Sequence, residues 1–257
     1  MLEENQNTVE LEVVDVETQP PYASHPGYKD WAFRLTLFVV GFLGLDIFTL
    51  IVQIILKIIF PDWFVETNPS YVLSLSVLNT IRYTVLAIVF VILLFPRLKV
   101  ILKKFLNWKT DLLGLAFAVG IIFATVMYNL IISQFIEMEV NANEVAAENM
   151  ILTYPILSIV VLGILGPICE EITYRYGLFS LINKKSKVLA YIFTPLIFAL
   201  IHFDFTGNLL VELINLPTYI IAGIGLTFAY DKFGFNTAVI AHVTNNLYAI
   251  IATLLVH

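Results

Sequence analysis

The sequence predicts an all-α fold, a polytopic bundle of about seven transmembrane helices, and three observations lead there. The 257 residues are 59% hydrophobic and 13% charged, with a mean hydropathy of +0.88 that lies far outside the range of soluble domains. Apolar runs long enough to cross a ~30 Å hydrocarbon core recur along the chain. The lysines and arginines between those runs alternate sides in step with them, as the positive-inside rule requires.

Taken in order, residues 1–28 hold Glu3, Glu4, Glu10, Glu12, Asp15 and Glu17 before a Pro20-Pro21 turn. That composition has little to bury and reads as an acidic, disordered cytoplasmic tail. It is not a signal peptide, lacking both a basic start and an apolar core. Spans are expected at 31–60, 71–96, 111–135, 151–182, 188–204, 208–230 and 236–256. Trp31 and Trp63 sit at the ends of the first, where interface-anchoring aromatics belong. Arg97, Lys99, Lys103, Lys104 and Lys109 fill one connection and Lys184, Lys185 and Lys187 another, whereas the loops at 61–70, 136–150 and 203–208 carry no lysine or arginine. The basic loops are therefore cytoplasmic, the N-terminus is inside and the C-terminus outside, and the chain is a multi-pass protein of the cell membrane. Asp46 and Arg82 fall at matched depth in the first two spans and are expected to pair. The net charge of −6 gives no footprint for nucleic acid, and one cysteine, Cys169, excludes an internal disulfide.

The chemistry concentrates in Gly166 to Phe179, GPICEEITYRYGLF, where two glutamates and an arginine interrupt membrane-grade sequence. Such charges are costly at bilayer depth and usually pair or face a polar cavity. Glu171 and Arg175 stand four apart on one helical face and should pair, while Glu170 points about 100° away and is left to act as a base. Pro167 lacks an amide proton, crowds the carbonyl of Gly163 and should kink the helix beside the acids. Two of the four histidines lie in spans, His202 and His242, and Asn246 follows His242 by four residues on the same face. Counted from the nearest basic anchors, Glu170, His202 and Asn246 are each roughly 21 to 23 Å deep, and His242 about 15 Å. A single histidine in an apolar helix is more often a satisfied core residue, but polar groups delivered to one level by three spans indicate a site. Cys169 precedes the glutamates, yet a lone cysteine in an apolar segment is usually a small core residue.

Glu170-Glu171-xxx-Arg175, Phe198-xxx-His202 and His242-xxx-Asn246 together resemble the motif set of the CPBP family, the CAAX prenyl proteases and bacteriocin-processing proteins also called Abi. The resemblance covers about residues 150–250, the motif core of a membrane-embedded domain at 29–257, and the first three spans carry no matching motif. It implies an intramembrane endopeptidase with its site at the cytosolic side, acting on a membrane-associated peptide or protein, prenylated substrates among them. It also implies roles: Glu170 and His202 activate water, His242 and Asn246 stabilise the oxyanion, and Glu171, Arg175 and Phe198 support them. No cofactor is needed in that scheme. The alternative it leaves open is a zinc enzyme with Glu170, His202 and His242 as ligands and one position for water. The metal-free scheme is favoured because Arg175 claims Glu171, leaving no evident carboxylate behind either histidine. A non-catalytic membrane scaffold or bacteriocin-immunity protein is the remaining alternative.

Overall fold

Long apolar segments whose backbone groups bond internally can only be helices in lipid, and helices are what the chain forms. The computed structural model describes residues 28–65, 67–105 and 107–257, and no strand occurs among them. The expected tail at 1–28 lies, but for its last residue, outside the described residues. We number the helices α1 (Tyr28–Ile59), α2 (Tyr71–Lys104), α3 (Trp108–Ile132), α4 (Ala142–Thr153), α5 (Pro155–Asn183), α6 (Lys187–Leu200), α7 (Leu209–Phe233) and α8 (Phe235–Val256).

Six of these are long and apolar enough to cross a membrane; α4 and α6 are not. The expected span at 188–204 is thus replaced by a 14-residue helix, about 21 Å long against a ~30 Å core. Its early end has a local cause. Asp204 accepts from both the backbone N–H and the hydroxyl of Thr206, and Asn208 then caps α7 through the Leu210 N–H. These side-chain bonds hold a turn where hydropathy alone would continue a helix. In the opposite sense, part of the 136–150 loop is helical: Asn141 caps α4 by accepting from the Glu144 N–H at 2.8 Å.

α5 is the central element. Of its most apolar stretch 56% is buried, against at most 22% for any other crossing helix. α1 approaches it through glycines: a Cβ at Gly177 would stand 2.9 Å from the Phe38 backbone nitrogen, and one at Gly41 would overlap the Thr173 hydroxyl. α5 is not uniformly α-helical. It widens into π-helical turns at Val161–Leu165 and Ile172–Phe179, a local form common at functional sites.

The helices sort their charged ends. At one end Asp30 accepts from Arg34 Nε at 2.9 Å and from Lys184, while Asp231 pairs with Lys187 at 2.7 Å and Lys232 at 3.4 Å. Arg97 lies over the Phe33 ring at 3.8 Å, and Asn236 donates to the Lys104 carbonyl at 3.1 Å. This basic end therefore holds the start of α1, α3, α6 and α8 and the finish of α2, α5 and α7. The other end is built from 60–65, 67–70, 133–154, 201–208 and the C-terminus. The expected Asp46–Arg82 pair is absent: no ion pair within 4.0 Å joins them, Asp46 is exposed, and Arg82 lies over the Tyr83 ring at 5.0 Å. Matched depth fixes height along two helices but not the angle around each, and the angle decides whether side chains meet.

Candidate active site

The site starts from the interrupted helix α5. An α-helical Pro167 would orphan the carbonyl four residues back, Gly163, whereas a π turn shifts the orphan to the fifth, Leu162. The Leu162 carbonyl is indeed taken by a side chain, accepting from Asn246 Nδ2 at 3.0 Å. So the break in α5 seats Asn246 of α8. One turn earlier on α8, His242 brings its Nδ1 to 2.8 Å from Glu171 Oε1, and its Nε2 lies 3.7 Å from Glu170 Oε2.

Glu171 is fully buried and so is Arg175, whose Nη1 donates to Glu171 Oε1 at 2.6 Å and whose Nη2 donates to the Gly223 carbonyl at 3.3 Å. Glu171 thus serves two partners, Arg175 and His242, and it supplies the carboxylate behind a histidine that the sequence reading found missing. Glu170 has a partner that sequence did not suggest: Tyr83 of α2 donates to its Oε1 at 3.2 Å. Cys169 beside it is buried with its thiol toward the Tyr83 carbonyl, and it does not line the cavity described below.

His202 does not lie within a span. It occupies the turn just past α6, where its Nδ1 meets the Phe198 carbonyl at 2.9 Å. A carbonyl only accepts, so Nδ1 carries the proton and Nε2 is left toward the cavity. The ring also stacks on Tyr219 of α7, centroids 4.5 Å apart and planes at 17°. Tyr219 is held in turn: Asn141 and Asn143 both donate to its hydroxyl at 3.2 Å. Glu212 ties the same corner by accepting from the N–H groups of Ala142 and Asp204, each at 3.1 Å. Phe198 sits at the centre, its ring 4.5 Å from the Arg175 guanidinium, 5.1 Å from His202 and 5.7 Å from His242.

Glu170, His202, His242 and Asn246 line one cavity of about 320 Å³, with Phe198 and Tyr219 in its wall. The three motifs are therefore brought together. The arrangement offers a carboxylate, two imidazoles each with one nitrogen engaged, and an amide. A base for water and donors for a developing oxyanion are what hydrolysis of an acyl group requires. For zinc the fit is mixed. Both histidines keep Nε2 for a ligand, and Glu171 backs His242 as metal-site carboxylates do, yet no three His, Cys, Asp or Glu gather as a metal-holding group among the described residues.

Residues 152–248 match the family model described as type II CAAX prenyl endopeptidase Rce1-like. Through that segment, which carries the three motifs, the chain is similar to the CPBP family of membrane proteases. Among curated proteins it is 27% identical over 184 residues to an uncharacterized protein of Mycoplasma capricolum, covering 65% of this chain and 52% of that protein. It is 29% identical over 149 residues to the UPF0177 protein YxdF of Lactococcus lactis, covering 55% of this chain and 77% of that one. The chain thus spans about half the length of the mycoplasma relative. No solved structure matches it.

Proposed function

We propose that the chain is an intramembrane endopeptidase that hydrolyses a peptide bond of a membrane-associated substrate, with its basic end in the cytoplasm and the bilayer being the cell membrane. The observation that carries this reading is the convergence of Glu170, His202, His242 and Asn246 on one cavity. Glu170 takes a proton from a water molecule whose other hydrogen is oriented by His202 Nε2, and the hydroxide attacks the scissile carbonyl. The oxyanion is met by Asn246 Nδ2, whose second hydrogen remains after the bond to Leu162, and by His242. The His242 Nδ1 proton is directed at Glu171, so Nε2 donates to the oxyanion when the ring carries both protons. Collapse of the intermediate sends the Glu170 proton to the leaving amine.

A second reading, zinc held by Glu170, His202 and His242, has one observation in its favour, the His242–Glu171 bond. One experiment separates the possibilities: purified protein in lipid nanodiscs, tested on prenylated and unlipidated peptides, with Glu170→Gln as the blank. Cleavage that survives exhaustive chelation supports the glutamate scheme. Cleavage that chelation abolishes and zinc restores supports the metal scheme. No wild-type cleavage above the blank on any peptide supports a scaffold or immunity protein instead.

A further inference from the structure

The cavity has a direction, and it points away from the basic end. On α3 its lining runs from Ile122 to Asn129, which are 14 and 21 residues beyond Trp108, about 21 to 32 Å along the axis. On α8 it runs from His242 toward Ile250, again away from the basic start at Phe235. Asn143 and Glu144 of α4 complete it at the far end, and they, Asn129 and Tyr248 are exposed, forming a mouth. Toward the basic end the site is closed. There Glu171 and Arg175 are fully buried, and Tyr174, Leu178 and Leu226 pack as an apolar plug.

The mouth also differs in charge. Glu137, Glu139, Glu144, Glu148 and Glu212 gather at its end of the molecule, where Lys57 is the one lysine or arginine among the described residues. Of these Glu144 lines the cavity itself, and the summed field of the acidic end draws positive charge toward it.

Building on the protease reading above, we propose that the cavity takes its substrate from the face opposite the basic loops, which the positive-inside rule makes extracytoplasmic. The substrate is a lysine- or arginine-bearing peptide segment exposed on the outer side of the membrane. This is the reverse of the cytosolic access that the family resemblance implies.

Two measurements test it without requiring turnover. Asn143→Cys and Lys103→Cys are placed separately in a Cys169→Ala background and treated in intact cells with a membrane-impermeant maleimide. Position 143 should label at once and position 103 only after permeabilisation. Labelling of 143 that needs permeabilisation, or fails even then, overturns the access route whether or not the protein cleaves anything. In the second, Glu170→Gln protein in nanodiscs is titrated with two fluorescent peptides identical except for lysines or glutamates. The lysine peptide should bind about tenfold more tightly at low salt, and Glu144→Gln should erase most of that advantage. Equal binding of the two peptides overturns the charge preference. Failure of wild-type cleavage alongside outward labelling would fault the protease reading and leave the access route standing.

Discussion

Glu171 accepts from Arg175 and His242 through the same oxygen, so its loss strands a buried cation and loosens the His242 ring at once. Glu171→Gln should therefore lower protein yield as well as rate, with a cost of about 3 to 5 kcal/mol typical of a broken buried pair. Glu170→Gln should differ in kind: cleavage falls at least ~100-fold while expression and melting temperature hold, because shape is kept and only the proposed base is removed. Asn246→Ala should raise the barrier by about 2 to 4 kcal/mol, read as kcat in the same assay. Tyr83→Phe removes one hydrogen bond to a carboxylate and should cost about tenfold in kcat. The Glu171–Arg175 pair was legible from sequence because helical spacing alone brings residues four apart together. The bonds Tyr83–Glu170 and Tyr219–Asn141 were not, since each joins residues more than seventy positions apart and no local pattern encodes which helices become neighbours.

Close packing between elements rests on α1 meeting α5 at Gly177 and Gly41, and a side chain there has backbone to displace. Gly177→Ala should destabilise the detergent-solubilised protein by about 1 to 3 kcal/mol, seen as a lower melting temperature. Gly120→Ala, where an added Cβ meets nothing within 4 Å, should leave it unchanged. Long elements were readable, since apolar length and lysine spacing define α1, α2, α3, α5, α7 and α8 without reference to neighbours. Short ones were misread in both directions. α4 carries a start signal in Asn141 with Glu144 three residues on, masked by the expectation that a polar stretch between spans is a loop. α6 ends early because Asp204 and Asn208 claim their own backbone, which hydropathy averages do not register. The π turn at Val161–Leu165 was legible only as the disturbance expected at Pro167, since its form goes with Asn246 arriving from another helix.

At the scale of the molecule, the lysines paired with Asp30 and Asp231 gather at one end, and the cavity, closed toward that end, is lined by the far turns of α3 and α8. The short α6 adds something different. Its outward residues Val188, Leu189, Ile192, Phe193 and Leu196 are exposed, and together they match only about 21 Å of a ~30 Å hydrocarbon layer. Lipids beside α6 must compress, or the turn bearing His202 and Asp204 must sink, and each ångström of mismatch costs a fraction of a kcal/mol. Acyl chain length should therefore act on the protein as a control variable. Reconstituted in vesicles of fourteen- to twenty-two-carbon phosphatidylcholines, it should lose kcat as the chains lengthen, while protein with α6 extended by four leucines after Leu200 should tolerate the longer lipids in its melting behaviour. A thin patch of bilayer would then be part of the machine, a place where a peptide bond anchored in lipid rises within reach of water.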